Sequence, residues 1–197
     1  MKRASLLICI VAALALCASA QTYVDFHQMP IANTPAPMPD NYPAVSGLAW
    51  DNFYYVTPGS WKEAGPGFWV DPASHHNTVA FMGGPYCNVL AASPAACFGS
   101  IKLHRPGADR PSFPTFTPVS MSVAAGWLPS NVVVTAYDNS KFLGSVVWNL
   151  STKPQTFSFP ATWRVTQLVF TPESVPANAI YPQAGSMVVY SLVLADR

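Results

Sequence analysis

Charge is what this sequence has least of: 10 Lys plus Arg and 9 Asp plus Glu in 197 residues, or 10 %, against about 25 % in an ordinary soluble domain. Neither sign dominates, so nucleic acid and anionic membranes, which are held by clustered basic charge, are excluded as principal partners. Glutamate is reduced to Glu63 and Glu173, and no pair of carboxylates stands in a context that would place them about 5 to 10 Å apart across a glycosidic bond. There is no G-x-S-x-G, no H-E-x-x-H, no phosphate loop and no C-x-x-C, so the commonest hydrolase, zinc and nucleotide motifs are missing. No stretch at helical period occurs beyond the N-terminus, and none there reaches the roughly 20 apolar residues of a membrane span. No internal repeat is apparent.

What is present begins with an export signal. Lys2 and Arg3 precede an apolar run from Leu6 to Leu16, and Ala18-Ser19-Ala20 follows, the charged, apolar and small-residue order of a cleavable secretory signal over residues 1–20. The expected product starts at Gln21, is secreted or cell-wall associated, and forms one domain over 21–197. Cleavage takes Lys2 and Arg3 with it and leaves 8 basic against 9 acidic residues. It also removes Cys9 and Cys17, leaving Cys87 and Cys97, which in an oxidising compartment are expected to close a short loop as a structural disulfide. A copper oxygenase, whose mature chain would begin with histidine, is disfavoured by Gln21.

From Gln21 on, short β-branched or aromatic runs end repeatedly in Pro, Gly, Asn or Asp. Strands are expected over 23–28, 48–57, 78–82, 120–127, 132–137, 142–149, 155–159, 164–171 and 186–194. Nine short strands predict an all-β antiparallel sandwich of jelly-roll type. Asp138-Asn139-Ser140-Lys141 joins two of them as a hairpin, and Pro58, Pro160 and Pro172 are expected to close strands. Five of the 20 prolines crowd into residues 30–43, an extended arm laid over the surface. Residues 83–118 read as one long loop.

Between Tyr42 and Asn77 aromatic rings interleave with amide, carboxylate and imidazole groups. Sugars present apolar C–H faces rimmed by hydroxyls, so flat rings beside such polar groups suit them. Trp50 and Phe53 are expected in the core. The candidate ligand-binding set is Tyr54, Tyr55, Trp61, Trp69, Asp71, His75, His76 and Asn77. His75-His76, with Asp71 or His104, admits a metal reading, but adjacent strand residues point to opposite faces, so a polar loop pair is preferred; no metal and no cofactor is expected. Asn149-Leu150-Ser151 is the one N-glycosylation sequon. In a eukaryotic source it would mark a glycan at Asn149, and in a bacterial source it would carry no meaning.

Ser46-Gly47-Leu48-Ala49-Trp50-Asp51-Asn52-Phe53-Tyr54-Tyr55 resembles the G-Y-x-G-L-x-W-x-N-F-Y segment of a group of small secreted sandwich proteins, mainly fungal and also bacterial. Their domain is akin to galactose-binding-like and carbohydrate-binding modules. Asn77-Thr78-Val79-Ala80-Phe81 matches a further strand of that group, and Val119 to Asn149 resembles its central strand pair. The resemblance implies a secreted glycan-binding module without catalytic function. The group's acidic pair on the opening strand is replaced here by Phe26-His27-Gln28-Met29, and the acidic residue near its last strand by the sequence around Val189-Tyr190-Ser191. Asp25 alone does not make the calcium site that such carboxylates can supply. Two other readings remain open: a structural or host-interaction protein that binds another protein, and a lyase or hydrolase gathering Glu63, Asp71 and His75 on one concave face.

Overall fold

A computed structural model describes residues 20–44, 46–60, 64–68, 78–82, 99–103, 114–174 and 187–195. Its strands are Gln21–Val24 (β1), Ala36–Pro37 (β2), Leu48–Asp51 (β3), Phe53–Val56 (β4), Val79–Met82 (β5), Gly99–Leu103 (β6), Thr117–Ala125 (β7), Ser130–Asp138 (β8), Lys141–Leu150 (β9), Gln155–Ser158 (β10), Gln167–Ser174 (β11) and Met187–Ala195 (β12). All pairings are antiparallel. One sheet of seven strands runs β10-β7-β12-β5-β4-β2, with β1 also on β12; one of five runs β3-β6-β11-β8-β9. The chain is therefore the all-β sandwich that its short, punctuated runs predict.

The two sheets meet over a core rich in aromatic rings, because period-two alternation turns one side of every strand inward. Phe26 stacks on Tyr42 at 5.8 Å and meets Trp50 edge-on at 5.5 Å. Trp50 meets Phe53 at 5.3 Å and Phe53 meets Phe170 at 6.1 Å. From Phe170 the chain of rings passes to Trp148, Phe159 and Trp163. Trp50 and Phe53 are both buried, as expected. The indole N–H of Trp50 donates to the Tyr42 carbonyl at 2.7 Å, which satisfies a polar group that burial would otherwise penalise.

Residues 48–57, expected as one strand, form two. Asn52 stands between them at φ 56, a left-handed conformation that asparagine tolerates better than most residues. The single residue carries the chain from the five-stranded sheet into the seven-stranded one. Residues three apart point to opposite faces of an unbroken strand, whereas Trp50 and Phe53 both enter the core; the break at Asn52 reconciles them.

The proline arm departs from a plain surface coil. Met29, Ala32, Met38 and Tyr42 are buried along it, Ala36–Pro37 pairs with Tyr54 and Tyr55, and the Thr57 amide donates to the Ala32 carbonyl at 2.9 Å. The long loop expected at 83–118 contains β6, paired on both sides. A Cβ on Gly99 would stand 2.6 Å from the Phe53 ring, so the residue that reads as a breaker is required by the packing. Pro172 lies within β11, at a register shift before Ser174, and does not close the strand. The hairpin between β8 and β9 turns through Asn139 and Ser140, both at positive φ, a type I′ connection matching the twist of its strands.

Candidate functional site

All seven strands of the larger sheet lack Asp, Glu, Lys, Arg and His. The charged strand residues belong to the other sheet: Asp51, Lys102, Asp138, Lys141 and Glu173. There Lys102 Nζ lies 2.7 Å from Asp51, half-exposed, and the Ser100 hydroxyl donates to the same carboxylate at 3.1 Å. The strands of the seven-stranded sheet thus bring no charge to its outer face.

Half of that face is capped. The register sets Pro37, Tyr54, Phe81, Val188 and Ala124 side by side across five strands. Phe81, Val188, Val56 and Val79 are buried there beneath Phe68 and Trp127, with Tyr54, Leu128 and Tyr190 half-buried around them. Phe68 touches Trp127 at 4.9 Å and Phe81 at 5.3 Å. The cap is possible because Gly65 and Gly67 have no side chains. A Cβ on Gly67 would stand 1.6 Å from the Ala125 carbonyl oxygen, and one on Gly65 would stand 2.5 Å from that of Gly126. At this approach the Gly67 amide donates to the Gly126 carbonyl at 2.8 Å, and the Tyr190 hydroxyl donates to the Gly67 carbonyl.

Among the described residues the other half is less covered, although Ser191 within it is buried. Tyr23, Val193, Ser120 and Ser158 form one row across β1, β12, β7 and β10, and Ser191, Ser122 and Thr156 form the next. Their neighbours Val24, Leu192 and Met121 are fully buried in the core, so alternation directs this set outward. Tyr23 is 62 % exposed, and Thr156 and Ser158 are exposed too. An aromatic ring beside a strip of hydroxyls results, with apolar area for a C–H face and donors and acceptors for a polar rim.

The residues singled out in the sequence distribute unevenly. Tyr54 and Tyr55 take opposite faces: Tyr54 packs at 6.1 Å from Phe81 on the capped outer side, whereas Tyr55 packs against the main core. Trp61, Trp69, Asp71, His75, His76 and Asn77 lie outside the described residues, as do Glu63, His104, Cys87 and Cys97. Trp61 and Trp69 follow directly on Ser60, the end of a 3-10 turn, and on Phe68, the anchor of the cap. Asn149 is exposed near the end of β9. Sequence reasoning missed Tyr23, Ser158 and the serines of β7; only Ser120 and Ser122 carry a local signal, the alternation of Thr117–Ala125. Among the described residues no three His, Cys, Asp or Glu side chains form a metal-binding group, and no helix is long and apolar enough to cross a membrane.

No protein family and no curated protein matches this sequence. Among solved structures the chain is similar to a carbohydrate-binding module of family 29, at 10 % identity over 89 % of both chains with a TM-score of 0.43. It is also similar to the family 29 module CBM29_1 of Piromyces equi, at 9 % identity over 89 % of this chain and 90 % of the other, with a TM-score of 0.39. A third likeness is to the family 32 module of C. perfringens NanJ in complex with galactose, at 6 % identity over 88 % and 92 %, with a TM-score of 0.34.

Proposed function

We propose that this chain is a secreted, non-enzymatic module that binds a neutral glycan, such as a cell-wall or matrix polysaccharide. The observation that carries the reading is the outer face of the seven-stranded sheet, whose strands bring it no charge and where Tyr23, across Val193, shares a row with Ser120 and Ser158, with Ser122 and Thr156 in the next row. A neutral sugar chain offers no charge to pair and asks for none; a ring to stack on and hydroxyl partners along its rim are what it needs. The aromatic segment that includes Trp61 and Trp69 belongs to the same proposed site, with Asp71, His75, His76 and Asn77 supplying polar contacts. Support for that extension is the cap at Phe68, which fastens the segment's described part to this face through Gly65 and Gly67. The sequence likeness of Ser46 to Tyr55 to small secreted sandwich proteins fits the same reading.

The test is binding to an array of neutral and anionic polysaccharides by the wild type and by Tyr23→Ala, Trp61→Ala and Trp69→Ala. Binding to a neutral polysaccharide, little changed between low and high salt and weakened at least tenfold by one or more of the three substitutions, is expected. Binding that all three variants retain would remove the site. Binding confined to anionic polymers and lost in salt would overturn the neutral reading.

A further inference from the structure

One edge of the five-stranded sheet, free among the described residues, points to a covalent modification. β9 is the last strand of that sheet, and among the described residues it pairs only with β8. A long edge strand offers unpaired N–H and C=O groups to any other strand, and proteins protect such edges with bulges, charges, prolines or cover. The first half of β9 is protected in this way. It starts at Lys141, and its register with β8 shifts between Ala136 and Tyr137, opposite Phe142 and Gly144. The second half is not. Ser145-Val146-Val147-Trp148-Asn149-Leu150 runs in unbroken register with Ser130 to Thr135, and it carries no charge and no proline. An uncharged, proline-free run of six residues built on Val146, Val147 and Trp148 has the composition of a self-pairing segment.

That unprotected half holds the sequon. Trp148 and Leu150 are buried, so Asn149 faces outward on the same side as Val147, where it is exposed and opposite Asn131. Val147 beside it is 50 % exposed. Ser151, the third sequon residue, has left the strand for a turn, where its hydroxyl donates to the Lys153 carbonyl at 3.2 Å.

We propose that Asn149 is N-glycosylated and that the glycan shields the second half of β9 from pairing with another copy of this chain. The proposal rests on export through a eukaryotic secretory route and is independent of what the other sheet binds. The donor is a lipid-linked oligosaccharide diphosphate. Asn149 Nδ2 forms a bond to C1 of the first sugar, the C1–O bond to the diphosphate breaks, one amide proton is released and the lipid diphosphate leaves; nothing is oxidised or reduced. A hydrated oligosaccharide on Asn149 would overhang Val147 and the neighbouring backbone, and an incoming strand could not approach.

The experiment expresses the full chain in yeast or insect cells and takes the protein from the medium. Intact mass is measured with and without an endoglycosidase, and oligomeric state by light scattering on a size-exclusion column. Wild type and Ser151→Thr, which keeps the sequon, are expected to carry the glycan and to run as monomers. Asn149→Gln and Ser151→Ala are expected to lose the added mass and to self-associate as concentration rises. Adding Val147→Lys to Asn149→Gln, which places a charge on the exposed edge, is expected to restore the monomer. Secreted wild type with no sugar on Asn149 would overturn the modification. Asn149→Gln that stays monomeric at every concentration would overturn its shielding role.

Discussion

Replacing Gly67 by alanine tests whether the cap on the outer sheet is held by backbone proximity. The new Cβ would lie 1.6 Å from the Ala125 carbonyl oxygen, where real Cβ atoms essentially never come within 3.0 Å, and 2.9 Å from the Gly126 Cα. Both neighbours are backbone atoms, one at the end of β7 and one just after it, so no side chain can swing aside; the segment must lift. Lifting it breaks the bond from the Gly67 amide to the Gly126 carbonyl and the bond from the Tyr190 hydroxyl, each worth about 1 kcal/mol. It also uncovers Phe68, now buried against Phe81 and Trp127, for about 2 kcal/mol more. If the segment stays down under strain, the cost is that of overpacking, about 1–3 kcal/mol. A loss of about 1–4 kcal/mol in urea unfolding is therefore expected, with a changed near-ultraviolet tryptophan signal from Trp127. Tyr190→Phe alone should cost about 1 kcal/mol, and combined with Gly67→Ala it should add almost nothing, since the bond is already gone. Gly59→Ala, whose Cβ would meet nothing within 4 Å, is the control and should be neutral. Gly67→Ala within about 0.5 kcal/mol of wild type would refute the account of the cap.

Three further outcomes follow from local geometry. Ser140 holds φ 74 in the hairpin turn, so Ser140→Gly makes the Asn-Gly pair that a type I′ turn prefers and should raise stability by about 1 kcal/mol, read as a higher Tm. Among the described residues Ser130 Oγ is buried without a hydrogen-bond partner; Ser130→Ala removes that uncompensated hydroxyl and should be neutral or stabilising by up to about 1 kcal/mol in urea unfolding. Burial first, and the Asp25 carboxylate second, push the Tyr42 phenol from 10.0 up to about 12. The folded state then holds this proton more tightly than the unfolded chain, so the contribution is intact below pH 10 and is lost as pH rises through about 12. Urea midpoints at pH 9 and pH 11 should fall further apart in wild type than in Tyr42→Phe, and equal falls would refute the shift.

Period-two alternation and turn chemistry were enough to read most of the fold. Eight of the nine expected strands have a counterpart in place and the ninth, 48–57, splits at Asn52, because these runs carry their instruction locally: β-branched and aromatic residues, then Pro, Gly or Asn. The split was itself legible. Trp50 and Phe53 are both large and apolar yet three residues apart, which no unbroken strand can bury on one face, and Asn52 between them tolerates positive φ. Two other strands were not legible. Ala36–Pro37 is too short to show a period, and Gly99–Leu103 begins at a glycine whose purpose appears only when the Phe53 ring lies against it.

The candidate site divides along the same line. By itself the sequence determined that the surface would be poor in charge, that one stretch would concentrate aromatic rings among polar groups, and that Trp50 and Phe53 would serve the core; each is a matter of composition or local pattern. Only the tertiary structure decided that every charged strand residue falls in one sheet and none in the other, that Tyr54 and Tyr55 part to opposite faces, and that Tyr23 shares one row of a sheet with Ser120 and Ser158, nearly 100 and 135 positions away in the chain. Strand order and register make those meetings. They are set by long-range pairing and by which face each strand turns to the core, which no window of neighbouring residues contains.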